Sequence, residues 1–465
     1  MTGTETLGGG PRSQRGLDTQ DETSPATSRG PLRRWRDASS RARFLTLAAF
    51  LLVLALAVRV GYVLHTNNYH PTNDDRSYDH LAKVLAQGHG WAYGTSAYRP
   101  PGYPIFLAGV YSLTGLPHDV WTSPRLVEAV VATITVGLIG LIALQVAGRT
   151  AMLISLALGA VYLPLVLVGV SLMTESLFGP LMLGAINCAL RARTAGHRYR
   201  WIVAAGILAG LASLTRGNGI VVAVALAFVV WPSPRLSRRA ILAPVVLIVV
   251  TALTIMPWTI RNANAQHAFV PVTTELGPTL SGTYNDRSAR ERYIWNIGGF
   301  PNYRAIKNNK KLTGAQVDSQ LTSAVISYIG QHPVALPEAM FWNTMRLLDL
   351  QGRRVSRMTA HTDVFATPGI ADIAVVSFWV LGCLAILGCF TRAARRVPRV
   401  LWIVPLVLWL SIAPVTTGTP RFRAALEPFV ILLAALGIQA VVAKLARRRS
   451  PDRNPRDLLA TPVGS

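Results

Sequence analysis

The stretch from Asn73 to Pro104, NDDRSYDHLAKVLAQGHGWAYGTSAYRPPGYP, decides how the rest of the chain is read. It opens on two adjacent carboxylates, Asp74 and Asp75, and runs into a short amphipathic helix. Tyr78, Leu81, Ala82 and Leu85 recur there at i, i+3, i+4 and i+7, which gives the helix one apolar stripe. A glycine-rich turn follows, and the stretch closes on Arg99 before Pro100 and Pro101. Just before it lies an apolar run at about 44–65, long enough to cross a bilayer. A helix with one apolar stripe and acids at its start, directly after a span, rests at the membrane surface.

Composition agrees. The chain has 465 residues, of which 51% are hydrophobic and only 15% charged, with a mean hydropathy of +0.36. That is too little charge for a soluble protein of this length, and the class is a polytopic membrane protein. The net charge of +24 does not indicate nucleic acid, because the basic residues cluster in short segments between apolar runs. Cys188, Cys383 and Cys389 all lie inside apolar runs and read as packing residues rather than metal ligands or disulfides. No secretory signal is apparent, since a polar segment precedes the first apolar run.

Charge placement sets the topology. Residues 1–43 read as a disordered basic cytoplasmic tail, Gly, Ser, Thr and Pro-rich at first, with Arg33, Arg34, Arg36, Arg41 and Arg43 before the first span. Arginine clusters at 191–200, 235–239 and 392–399, and the basic tail 444–465, mark further cytoplasmic segments. Later spans then fall near 124–147, 151–170, 172–190, 201–215, 219–231, 239–258, 371–390, 399–417 and 424–443. With the first this makes ten crossings, so both termini are expected inside. Residues 103–116 are apolar but short for a span and read as a re-entrant or partly embedded helix. The expected division is a transmembrane core at 44–261 with an outward loop at 66–103, an outward soluble or interfacial segment at 262–368, and C-terminal spans at 369–443. A helix carrying Leu336, Met340, Trp342 and Leu347 is expected on the bilayer surface.

This map gathers acids and isolated arginines on one side. Asp74 and Asp75 could simply cap the helix that follows. Placed where a lipid headgroup would arrive, either could instead act as general base toward an acceptor hydroxyl. Arg99, its backbone fixed by the prolines, either snorkels to headgroups or grips a phosphate with permanent charge. Glu175, in Thr-Glu-Ser-Leu-Phe between apolar spans, is costly there unless paired or hydrated. Arg216, Arg261, Arg421 and Arg423 all cap outward span ends, where arginine is normally scarce, and as a set they suggest an anionic ligand. Arg59 could join them or snorkel. His65, His70, His80 and His89 match no zinc spacing and the acids form no DxD, so neither a metal nor another cofactor is expected.

Five stretches together resemble the C-type (GT-C) integral-membrane glycosyltransferases, in the branch of protein O-mannosyltransferases and the aminoarabinose transferase. They are Asp-Asp-x-x-Tyr at Asp74–Tyr78, Tyr-Arg-Pro-Pro-Gly-Tyr-Pro around Arg99, Thr-Glu-Ser-Leu-Phe around Glu175, Gly-Leu-Ala-Ser-Leu-Thr-Arg ending at Arg216, and Pro-Trp-Thr-Ile-Arg-Asn ending at Asn262. The resemblance implies transfer of a sugar from a polyprenyl phosphate at the outer face of the membrane, with inversion. It places Asp74 as the base, with Asp75 the alternative, Arg99 on the lipid phosphate and Glu175 as a second acid. Tyr78 joins Arg99, Arg216, Arg261, Arg421 and Arg423 in the expected donor site. The expected fold is an all-α transmembrane bundle in the plasma membrane, with the active site on its outward first loop. The expected partners are a lipid-linked donor, an envelope glycan, lipid or protein acceptor, and membrane lipids. A transporter or flippase would instead carry ionisable residues near span midpoints and paired broken helices. A non-catalytic scaffold would leave Asp74, Arg99 and Glu175 without a purpose.

Overall fold

The structure, a computed structural model, describes residues 40–91, 97–117, 121–194, 196–231 and 238–449, and among these it is helical with no strand. Arg33, Arg34, Arg36 and Arg235, and the tail beyond residue 449, lie outside the described residues. The chain divides after Thr46. Of the first unit only residues 40–46 are described, the opening turns of α1 (Ser40–His65), and all that follows concerns the chain from Leu47 onward.

Each expected span has a helix. Five helices are long and apolar enough to cross a membrane: Ser40–His65, Thr122–Val161, Ala240–Gln266, Pro368–Cys389 and Glu427–Leu445. At the remaining expected spans the chain is also helical, in helices that fall outside those five. After α1 come α2 (Asp74–Ala86) and α3 (Gly102–Thr114). Thirteen residues rise only about 20 Å, short of a hydrocarbon core of about 30 Å, so α3 does not span. It packs instead on α2, where Tyr78, Ala82, Tyr103, Leu107 and Tyr111 form one buried cluster with Leu172 and Met173.

The next helix, α4 (Thr122–Val161), is 40 residues long, about twice what one crossing needs. Gly148, at φ 86°, breaks it into two arms. Gly140 faces Leu156 and Gly159 faces Val136, so the arms fold back on one another as an antiparallel pair. The expected spans at 124–147 and 151–170 are these two arms. The second stops at Tyr162, whose backbone is extended ahead of α5 (Leu163–Val168) and Pro164. Then follow α6 (Thr174–Ala192), α7 (Arg198–Thr215), α8 (Ile220–Val230) and α9 (Arg238–Gln266).

The segment beyond α9 has its own core: Tyr284, Tyr293, Phe300 and Tyr303 pack against Leu321, Val325, Ala335 and Ala339. Its helices include α10 (Leu276–Thr283), α11 (Gly314–Gln331), α12 (Ala335–Leu347) and α13 (Arg353–Val364). In α12 the buried face is Ala335, Ala339, Asn343, Arg346 and Leu347. Of the expected stripe, Leu347 is buried and Trp342 packs against this core, while Leu336 is exposed and Met340 half-buried. The chain closes with α14 (Pro368–Cys389), α15 (Ile403–Ile412), the single turn α16 (Pro420–Arg423) and α17 (Glu427–Arg449).

Candidate active site

Asp74 begins α2, where a carboxylate faces the free backbone N–H groups of the first turn. Its two oxygens take two arginines from distant parts of the chain. Arg99 Nη2 lies 2.5 Å from Oδ1, and Arg421 Nη2 lies 2.8 Å from Oδ2. The Asp74 side chain remains 29% exposed, so it is gripped from two sides and open on another. Burial alone would raise its pKa. The Arg99 and Arg421 charges outweigh that and hold it well below the usual carboxylate range.

The pairing continues in both directions. Arg99 Nη1 meets Glu275 Oε1 at 2.7 Å, just ahead of α10. Arg421 Nε lies 3.1 Å from Glu175 Oε1, and Arg216 Nη1 reaches the same oxygen at 2.8 Å. The result is an alternating chain of charge, Glu275–Arg99–Asp74–Arg421–Glu175–Arg216. A further carboxylate, Asp363 on α13, stands 4.0 Å from Arg421, and burial pushes its pKa up. Phe422 presents its ring to both Arg216 and Arg421 at 4.8 Å, which fixes the planes of the two guanidiniums. A small cavity of about 40 Å³, lined by Leu167, Val168, Val364 and Ala374 with Asp363 and Arg421 at its polar end, adjoins the cluster.

Backbone geometry explains why these turns meet. Arg99 precedes Pro100 and Pro101, and the glycine that follows lets its turn touch the Arg216 turn. A Cβ on Gly102 would lie 2.9 Å from the Leu214 carbonyl oxygen and 2.9 Å from Thr215 Oγ1. Arg216 leaves α7 in an extended conformation, so its side chain turns away from the helix axis toward Glu175. On the far side Gly418, at φ +65°, lies against the Asn343 backbone so closely that any side chain would collide. That contact seats the turn carrying Arg421.

Glu175 is placed by a residue the sequence did not single out. Glu128, on the first arm of α4, is fully buried. It accepts from Tyr103 Oη at 2.6 Å, Ser176 Oγ at 2.8 Å and the Leu172 N–H at 2.9 Å. Leu172 is left-handed at φ 51°, a conformation costing a β-carbon-bearing residue about 1–2 kcal/mol, and the Glu128 contact holds it there. One carboxylate thus joins α3, behind Arg99, to the start of α6, which carries Glu175.

Other expected site residues have different surroundings. Asp75 is buried, with Oδ1 accepting from the N–H groups of Thr72, Asn73 and Arg76 and Oδ2 from Tyr69 Oη at 2.6 Å. It is a cap whose oxygens are filled, which leaves Asp74 as the accessible member of the pair. Arg423 sits apart, within 2.8 Å of Asp349 and 3.0 Å of Glu427, and over the Phe378 ring. Arg261 stacks on Trp258 and donates to Asn262 at 3.1 Å. Arg59 is buried and donates to the Ala55 carbonyl of its own helix and to the Gly159 and Ala160 carbonyls at the end of α4. Tyr78 lies under the Arg99 guanidinium, 4.9 Å from its centre. Glu275 and Asp363 carry no local signal. The chain has only 22 acidic residues, and that scarcity is the one sequence feature that could have brought them forward.

Comparison with known proteins follows the same residues. Residues 98–260 match the family model for dolichyl-phosphate-mannose-protein mannosyltransferase, a stretch that includes Arg99, Glu175 and Arg216 but neither Asp74 nor Arg421. In structure the chain is similar to the oligosaccharyltransferase AglB of Archaeoglobus fulgidus, solved with an inhibitory peptide and a dolichol-phosphate. The TM-score is 0.54 at 15% identity, over 90% of this chain and 52% of that one. The apo form of the Archaeoglobus fulgidus oligosaccharyltransferase gives 0.54 at 15% identity, over 88% and 52%. ArnT from Cupriavidus metallidurans, in the apo state, aligns over 90% of this chain and 82% of its own, with a TM-score of 0.39 at 16% identity. The chain spans about half the length of the archaeal chains it matches. No curated protein matches it by sequence. At these identities the structural likeness is one of fold.

Proposed function

We propose that this chain, which carries the helical fold of the GT-C membrane glycosyltransferases, moves a sugar from a polyprenyl-phosphate donor to an envelope glycan, lipid or protein acceptor. The observation that carries the reading is the position of Asp74, exposed on one side and paired with Arg99 and Arg421 on the others. A transferase of this kind needs a base for the acceptor and cations for the leaving phosphate, and here the two kinds of group touch.

In the proposed reaction Asp74 takes the proton of an acceptor hydroxyl while that oxygen attacks the anomeric carbon. The bond from that carbon to the phosphate oxygen breaks, the lipid phosphate leaves, and the single displacement inverts the centre. Arg99 and Arg421 receive the charge that develops on the phosphate, fixed in place before the reaction begins. Between two guanidiniums Asp74 is a weak base. A phosphate that draws these arginines toward itself raises the basicity of Asp74 at the moment it is needed. Glu175, held by Arg216 and Arg421, keeps the second guanidinium aimed. The dolichol-phosphate recorded with the archaeal oligosaccharyltransferase of like fold supports a lipid-phosphate donor. The charge pattern of the loops supports an outward-facing site with both termini inside.

The test is sugar transfer in membranes supplied with labelled polyprenyl-phosphate sugars, comparing wild type with Asp74→Asn at equal expression. The variant is expected to lose a hundredfold or more, on the order of what a general base contributes, while still binding donor. Undiminished transfer would remove Asp74 from the role. Solute or lipid crossing the membrane with no donor consumed would replace transferase by transporter.

A further inference from the structure

A phosphate cannot simply be gripped in fork fashion by Arg99, because each nitrogen of that guanidinium already has a partner. Nη2 is on Asp74 at 2.5 Å, Nη1 is on Glu275 at 2.7 Å and Tyr78 Oη at 3.4 Å, and Nε is on Ser77 Oγ at 3.4 Å. The rings of Tyr78 and Tyr98 lie 4.9 and 5.1 Å from its centre. An anion that takes two adjacent N–H groups from the two Nη atoms must therefore displace one of two carboxylates. Asp74 is held by a second guanidinium, Arg421, at 2.8 Å. Glu275 has one ion-pair partner among the described residues, and its side chain is 22% exposed.

We propose that Glu275 stands in for the donor's phosphate: an internal carboxylate that occupies Arg99 Nη1 until the lipid-linked phosphate displaces it, and so sets how tightly donor binds. The proposal rests on the reading of Arg99 as a phosphate ligand. Its charge arithmetic is simple. With Asp363 beside Arg421, the three guanidiniums of Arg99, Arg421 and Arg216 face four carboxyl groups, so the cluster has no cation to spare before donor arrives. An anionic phosphate that replaces Glu275 takes over a cation already in use, whereas one that binds beside it adds a further negative charge to a partly buried site. Burial pushes the Glu275 pKa up against the pull of Arg99, so its charge is held less firmly than that of Asp74, whose pKa the two arginines lower.

Glu275 can also leave without the segment behind it opening. The Thr274 N–H donates to the Ala97 carbonyl at 2.9 Å, and Thr273 Oγ1 bonds the Tyr98 carbonyl. With the backbone pinned to the Arg99 turn, a change of rotamer frees Nη1 and leaves the turn in place. A purely structural Glu275, stapling this segment to the first loop, would have the opposite signature: removing its charge would loosen the site and weaken binding.

The experiment measures binding of farnesyl phosphate to the full chain purified in detergent, with farnesol as the uncharged control. Glu275→Gln and Glu275→Ala are expected to bind farnesyl phosphate about tenfold more tightly than wild type, since the competing internal ligand is gone. Farnesol binding is expected to stay unchanged, and Arg99→Gln to bind farnesyl phosphate more weakly than wild type. Equal or weaker binding by the Glu275 variants, with Arg99→Gln still weakened, overturns the stand-in and leaves the transferase reading untouched. Equal tightening toward farnesol overturns it too. An Arg99→Gln variant that binds normally removes Arg99 from the phosphate site and takes this proposal with it. Should Glu275→Gln and Glu275→Ala fail to fold, Glu275→Asp, one methylene short of Nη1, must show the tightening or the proposal falls.

Discussion

At the scale of single residues, the two neighbouring aspartates separate cleanly. Asp75 fills three backbone N–H groups and a tyrosine hydroxyl, so Asp75→Ala should cost stability, about 2–4 kcal/mol for several buried donors left unmet, and lower activity only as the folded fraction falls. Asp74→Asn should instead cut transfer by about a hundredfold or more, far beyond what the loss of its two ion pairs takes from the folded fraction. Comparing melts with rates for the two variants distinguishes them. Titration gives a second handle. The folded pKa of Asp74 is depressed, so its contribution to stability is complete above the unfolded value of about 3.9 and is lost as pH falls through the lower folded value. Glu275 and Asp363 are shifted upward, so theirs is complete below the unfolded values of about 4 and is lost as pH rises through the folded ones. Through these groups stability in detergent should therefore rise as pH falls toward the unfolded carboxylate values of about 4, and fall below them as the contribution of Asp74 is lost. Replacing Glu275 by Gln and Asp363 by Asn together should flatten the rise. A wild-type curve that falls steadily from pH 7 downward would count against these assignments. Adjacency in sequence showed a pair of acids and gave no means of dividing them, because the division is made by Tyr69 on one side and by Arg421, 347 positions away, on the other.

At the scale of elements, the periodicity in Tyr78, Leu81, Ala82 and Leu85 marks α2, and the double proline marks the turn before α3. Both signals are local, and both are found where the pattern puts them. What the pattern could not carry is how turns approach one another. Gly102 meets the Arg216 turn and Gly418 meets α12, and neither contact leaves a mark in its own neighbourhood. Gly102→Ala should push the Arg99 turn away from Arg216 and reduce transfer by about tenfold or more, because small misplacements of binding groups are costly. Its melting temperature should change little. Gly61→Ala, whose new methyl meets nothing within 4 Å, is the matched control and should leave rate and melt unchanged. Equal rates for the two variants would show that the close approach does not position the site. Arg423 illustrates the converse. It shares the span-end position of Arg421, yet two residues along a tight turn it faces Asp349 and Glu427 instead of the cluster.

At the scale of the whole molecule, apolar runs and loop charges are enough to locate a helix for every expected crossing, because desolvation of the backbone dictates helices wherever the chain enters a bilayer. Orientation rests on the arginine clusters and is open to direct test. A cysteine replacing Asn302, which is exposed in the segment between α10 and α11, should react with a membrane-impermeant thiol reagent on intact cells. Labelling only after permeabilisation would invert the topology and the placement of the site. The alternating charge ladder also has a consequence in time. Its members are contributed along nearly the whole chain, and Arg421, which touches both Asp74 and Glu175, is the last to be synthesised. At about 5–20 residues per second, roughly 20–70 s separate the emergence of Asp74 from that of Arg421. Throughout that interval the nascent protein holds Asp74 by Arg99 at most and lacks the second guanidinium of the site. The ribosome therefore completes the charge ladder late, and a product truncated ahead of residue 421 would occupy the membrane with Asp74 held from one side only.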